Sequence, residues 1–223
     1  VINEVLPGKL YLGCRTHRGP KVMGRAARGL VDVFSVNCYD VRAGVHQLGG
    51  DVDMPVLVGE FHFGAVDRGV PSPGLRAVAD QQQRGLAYAQ YLASGLADRR
   101  IVGAHWFQWF DQPASGRGDR ENHQVGFVDV TGRPHAEFVR GVASATAAMY
   151  PARAAGGSVE QVLAKLLKTS AEDLWRRGDP APLGRPEVRP SPVQVSWRRG
   201  DPAPSSDGLR SGRLQSDGEE TSR

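Results

Sequence analysis

The sequence predicts an α/β protein with parallel strands, followed by a low-complexity tail. Three observations carry this. Four apolar runs, rich in β-branched and aromatic residues, recur through residues 1–150. Stretches with helical spacing fall between them. From Gly156 onward Pro, Gly, Ser and Arg become dominant. The runs are mostly continuous rather than alternating, as in strands covered on both faces. Repeated βα units make such strands parallel.

The first run, residues 10–15, follows the turn signal Pro7-Gly8. Residues 20–29 then read as a short helix with proline in its first turn. The second run spans 31–39. Residues 41–53 contain three glycines and weak periodicity, so the helix there is short or missing. The third run spans 55–63. Residues 75–97 form the clearest helix. Leu75, Val78, Leu86, Leu92 and Leu96 recur at helical spacing, while Asp80, Gln83, Arg84 and Gln90 fill the other face. The fourth run spans 101–110, and a last helix, 135–149, stops at Pro151. This gives a folded domain over 1–151 and a mostly disordered tail over 152–223. Within the tail, 159–174 read as an isolated amphipathic helix. The octapeptide Trp-Arg-Arg-Gly-Asp-Pro-Ala-Pro then occurs at 175–182 and again at 197–204. Two copies fall short of the ~3 units that a stacked repeat needs.

Net charge is +4, but the arginines are spread along the chain, so no nucleic-acid partner is expected. No apolar run approaches the ~20 residues of a membrane span. Cys14 and Cys38 lie in apolar runs without partners at metal-ligand spacing, and read as buried free thiols. No phosphate loop, zinc signature or nucleophile elbow occurs, so neither a cofactor nor a metal is expected. The chain opens on Val1 close to a strand and reads as truncated.

In a barrel of βα units, side chains at the C-terminal strand ends line the site. That rule selects Arg15 and His17, then Asn37, Tyr39 and Asp40, then Glu60, Phe61 and His62, and finally Trp106, Gln108, Trp109 and Asp111. Glu60 stands out. It leaves a buried strand, which costs free energy unless the carboxylate is used or paired. Either it does chemistry or it is held by an arginine such as Arg15. Aromatic residues and hydrogen-bonding side chains, including His62, His105 and Gln108, surround it in sequence. Sugars bind by stacking on such rings and by hydrogen bonds to their hydroxyls; the same rings also serve as ordinary core. The loop 116–122, which holds Glu121, contacts substrate, binds a cation or is a solvated turn.

These residues resemble the β-agarases of glycoside hydrolase family 50. The likeness lies in GEFHFGAVDRG (59–69), in Gln83-Arg84-Gly85, in GAHWFQWFDQPASGRGDREN (103–122) and in GFVDVT (126–131), with LYLGCR (10–15) and VDVFSVNCYD (31–40) in support. It covers roughly residues 5–150. The resemblance implies a retaining (β/α)8 barrel of which this chain holds the C-terminal half, about four parallel strands. Glu60 then matches the nucleophile. Arg15, Asn37, Tyr39, His62, His105, Trp106, Gln108, Trp109, Asp111 and Glu121 become candidate sugar ligands. The implied substrate is a galactan or agaro-oligosaccharide, and the implied location is secreted or periplasmic.

The acid/base of such barrels ends the fourth strand, and only nine residues precede Leu10. Asn3-Glu4 matches by residue type but has no strand before it. The acid/base is therefore expected to be missing and this chain to be inactive by itself, with self-association through exposed half-barrel edges. Two other readings are a different β-galactosidase and a non-catalytic carbohydrate-binding fragment. Asp119-Arg120-Glu121-Asn122 departs from the family's Asp-Gly-Glu-Asn, and Gly132-Arg133-Pro134-His135 from its Asp-x-Pro-Tyr.

Overall fold

The computed structural model describes residues 2–17, 20–43 and 52–176. These fall in one compact unit, Val1–Pro180, and Ala181–Arg223 lies outside the described residues. In chain order the elements are α1 (Ile2–Val5), α2 (Pro20–Ala27), β1 (Phe34–Asn37), β2 (Val56–Phe61), α3 (Gln81–Ala97), β3 (Ile101–Trp106), α4 (Ala136–Ala155) and α5 (Val159–Arg176). The strands form one parallel sheet in the order β1-β2-β3. The expected α/β character holds.

The first expected strand does not form. Of that stretch, only Thr16 bridges β1, at Val36. Its N–H donates to the Ser35 carbonyl (3.1 Å), and its own carbonyl accepts from Asn37 N–H (2.7 Å). The reason is Gly13, whose φ of 63° leaves the extended region. Leu10, Tyr11 and Leu12 stay exposed, as does Cys14. The buried-thiol expectation therefore holds for Cys38 alone.

β2 runs out of step with both neighbours. Val36 faces Val58 but Asn37 faces Glu60, while Val58 faces Ala104 and Phe61 faces Trp106. One extra residue therefore sits between Val58 and Phe61, a β-bulge. Val56, Val58 and Phe61 are each 1% exposed and form the core with Phe34 and Val36 of β1 and with Ala87 and Tyr91 of α3. Phe61 lies flat on Tyr91, 4.1 Å between rings. Side chains of this size contribute about 1.5–3 kcal/mol each on burial. That layer fixes the sheet against α3.

α3 starts at Gln81, six residues later than its periodicity suggests. Asp80 is its N-cap, in extended conformation, and accepts from Gln83 N–H (2.8 Å). The residues before it pass over the end of β2 instead. Gly64 N–H donates to Arg76 and Val78 N–H donates to Gly64. Pro71, Pro73 and Gly74, with φ 72° at Gly74, direct this path.

Two arginines tie the helices to the sheet. Arg84 of α3 is wholly buried and donates to the Phe63 carbonyl (2.9 Å), Gln81 Oε1 (2.5 Å) and the Gly126 carbonyl (2.8 Å). Its guanidinium lies 4.0 Å from the centre of the Phe138 ring. Burial lowers its pKa to about 10, against the pull of Asp111 and Asp67. Arg153 of α4 donates to the carbonyls of Leu96 (2.7 Å), Asp98 (2.8 Å) and Arg99 (3.0 Å), so it caps the C-terminus of α3.

α4 does not stop at Pro151. It runs on to Ala155, gaining the Arg153 cap and the burial of Ala152. α5, expected as an isolated helix, packs on α3 and α4. Val162 and Leu166 are fully buried against Ala93, Ala148 and Ala152. Of the repeated octapeptides, only Trp175 and Arg176 fall among the described residues, as the end of α5.

Candidate active site

Glu60 emerges at the C-terminal end of β2, and its side chain is 16% exposed. Oε1 pairs with Arg15 Nη2 at 2.6 Å. Oε2 accepts from Asn37 Nδ2 and Tyr39 Oη, both at 2.7 Å. All three partners are donors, so Glu60 serves as an acceptor on both oxygens. Arg15 is half exposed, and a pair of that kind is worth only about 0.2–1 kcal/mol. Its effect is therefore orientation more than stability.

Tyr39 and His62 back this arrangement, their rings 4.7 Å apart. Burial raises the Tyr39 pKa, with the Glu60 hydrogen bond adding to it, so the phenol keeps its proton and donates. His62 is nearly fully buried, and Leu75 N–H donates to its Nε2 at 2.8 Å. That bond assigns the neutral ring's proton to Nδ1. Burial first, and then His123, pushes its pKa down to about 3. Gly74 leaves room for this ring, because a Cβ there would stand 2.5 Å from Nε2.

The carboxylate opens into a cleft of about 300 Å³ lined by His17, Asn37, Tyr39, Glu60, His62, Leu75, Phe107, Arg117 and Glu121. Glu121 is fixed from behind, its Oε2 accepting from Arg117 and from Gln112, each at 2.9 Å. Arg117 also pairs with Asp119, lies 5.5 Å from the centre of the Phe107 ring and donates to Gln108 (3.4 Å). Among the described residues no three His, Cys, Asp or Glu side chains gather as a metal site.

The structure thus brings together Glu60, Arg15, Asn37, Tyr39, His62 and Glu121. Gln108 touches the rim through Arg117. Four other candidates lie elsewhere. Trp106 packs among Phe61, Phe127 and Phe138, and its Nε1 donates to the Val125 carbonyl (2.8 Å). Asp111 is buried, bonding Gly126 N–H (2.7 Å) and His135 Nε2 (2.8 Å). Trp109 is 62% exposed against Phe127. His105 lines a separate groove beside β3. Leu75, Phe107 and Arg117 were not selected from sequence. Leu75 fits the α3 periodicity, and Phe107 reads as strand; Arg117 lies in the flagged loop, where an Arg-Gly-Asp turn gives no sign of facing the cleft.

A carboxylate on a strand end, held by donors in a polar cleft beside aromatic rings, makes the chain glycoside-hydrolase-like. Comparison with known proteins finds the chain similar to β-agarases. The chain is 39% identical over 145 residues to Beta-agarase B of Vibrio sp. (strain JT0107), covering 62% of this chain and 15% of the relative. Beta-agarase A of the same organism is 40% identical over 141 residues, covering 58% and 14%. Among solved structures, an exo-β-agarase superposes with a TM-score of 0.64 at 39% identity, over 68% of this chain and 21% of that one. The agarase AgWH50C gives 0.64 at 39%, over 68% and 22%. No family model matches. The chain resembles these agarases over about two thirds of its length and spans about 15% of the curated relatives.

Proposed function

We propose that this chain carries the nucleophile side of an agarase-like glycoside hydrolase acting on β-galactosidic bonds of agarose or a related galactan. The observation that carries the reading is Glu60, held by three donors at a strand end inside the agarase-like region. In a retaining reaction a Glu60 oxygen attacks the anomeric carbon while the glycosidic bond breaks. The leaving oxygen takes a proton from a general acid, which leaves a glycosyl ester on Glu60. Water, losing a proton to the same group, then displaces Glu60. Arg15, Asn37 and Tyr39 aim the carboxylate. His62, neutral and buried, shapes the cleft and carries no charge. A polymeric substrate places the reaction outside the cytoplasmic membrane.

The proposed architecture is the C-terminal half of a (β/α)8 barrel, with residues 10–16 in the place of a fourth strand beside β1. The parallel bridge from Thr16 to Val36 supports this. One observation favours a second reading, sugar binding without turnover. The other carboxylate of the cleft, Glu121, has its Oε2 already engaged as an acceptor by Arg117 and Gln112. The test measures neoagaro-oligosaccharide release and binding with the parent and with Glu60→Gln. Equal turnover by the two sinks the nucleophile assignment. Binding without turnover in both selects the second reading.

A further inference from the structure

Glu60 sits where a regular strand would not put it. Side chains two apart in a strand share a face, so Val56, Val58 and Glu60 would all point at α3. The extra residue after Val58 resets the alternation. Phe61 takes the α3 face, and Glu60 turns to the open one. Gly59 is the residue left without a partner in β1. Its backbone is outside the left-handed region, so conformation alone does not demand glycine. Space does. A Cβ on Gly59 would collide with Cδ of Arg15, stand 3.0 Å from its Cγ and 3.1 Å from Asn37 Oδ1. The stem of Arg15 therefore lies across the bare Cα of Gly59 before its guanidinium reaches Glu60.

We infer that Gly59 is a positioning residue of this site: its bulge turns Glu60 into the cleft, and its missing side chain seats the Arg15 stem that holds the carboxylate. The catalytic part of this inference rests on Glu60 being the nucleophile. The seating of Arg15 does not.

The experiment compares Gly59→Ala, Arg15→Ala and the double variant in the whole chain, with two readouts. The first is thermal unfolding. Gly59→Ala is expected to lower Tm by about 2–4 °C when Arg15 is present and by less than about 1 °C when residue 15 is already alanine. Equal losses in both backgrounds overturn the seating. The second is covalent labelling of Glu60 by a 2-deoxy-2-fluoro-β-galactosyl fluoride, located by peptide mass; fluoride leaves without help from an acid. Gly59→Ala is expected to slow the maximal labelling rate about 10–100-fold, to the level of Arg15→Ala, with the half-saturating concentration unchanged and the double variant no slower. Labelling at the parent rate overturns the positioning role. If Tm shows the coupling but the parent chain is never labelled at Glu60, the nucleophile reading fails and the seating stands.

Discussion

Two hollows of this molecule differ in a way that size misrepresents. The groove beside β3 is about 610 Å³ and is lined by Leu92, Leu96, Val102, Met149 and Tyr150 among others, with Tyr150 76% exposed. The cleft at Glu60 is about 300 Å³ and is lined mostly by hydrogen-bonding side chains. A large apolar pocket is the usual first guess for a ligand site. Here the smaller hollow has the converging hydrogen-bonding groups, the buried histidine and the re-aimed carboxylate. The larger one lies between the edge of β3, unpaired among the described residues, and the flanks of two helices. Convergence of polar groups, more than size, marks chemistry.

The largest effect that tests this contrast is on turnover. Any agarolytic turnover is expected to fall at least about 10³-fold in Glu60→Gln, whereas His105→Ala, in the groove, leaves it within about twofold. Reducing-end release from agarose checks both. Next comes the support behind the cleft. Arg84→Leu strands the Phe63 and Gly126 carbonyls and is expected to destabilise by about 3–5 kcal/mol in denaturant unfolding.

His62 gives the cleft a pH signature. The unfolded chain protonates this histidine near 6.5, whereas the folded chain resists until about 3. As pH falls through that window the unfolded state binds more protons, so stability is complete above 6.5 and drains away toward 3. The loss amounts to a few kcal/mol and is read from urea midpoints at several pH values. His62→Gln is expected to flatten that slope.

Two smaller changes complete the series. Arg120 has φ 69°, a left-handed conformation that glycine adopts without steric cost. Arg120→Gly is expected to raise stability by about 0.5–1 kcal/mol, read as a higher Tm. Val102→Lys, on the open strand beside the groove, is expected to shift stability by less than about 0.5 kcal/mol. It is also expected to reduce self-association in sedimentation.

Much of the cleft was legible from the ends of strands. Asn37, Tyr39, Glu60 and His62 lie in the last residues of apolar runs whose C-terminal boundaries fall close to those of β1 and β2. The same rule misplaced residues after β3, because the apolar run continues to Phe110 while the strand stops at Trp106. Gln108, Trp109 and Asp111 are therefore not strand ends. Trp106 shows the second difficulty. Composition does not say which face an aromatic residue takes, and the bulge changes the alternation that would otherwise tell. The edge run at 10–15 looked like a strand by composition, yet a single left-handed glycine breaks it. Proline at 151 looked like a stop, yet the helix runs past it to place Arg153 on the end of α3.

That arginine also orders events in time. The carbonyls that Arg153 collects belong to the last turn of α3 and the bend that leads into β3. On a chain emerging from a ribosome, the bend into β3 has local bonds of its own, Ile101 N–H on the Asp98 carbonyl and Arg100 on the Asp98 carboxylate. The bonds from Arg153 wait until some fifty more residues have been made. The cap on α3 therefore belongs to a residue made long after the helix itself.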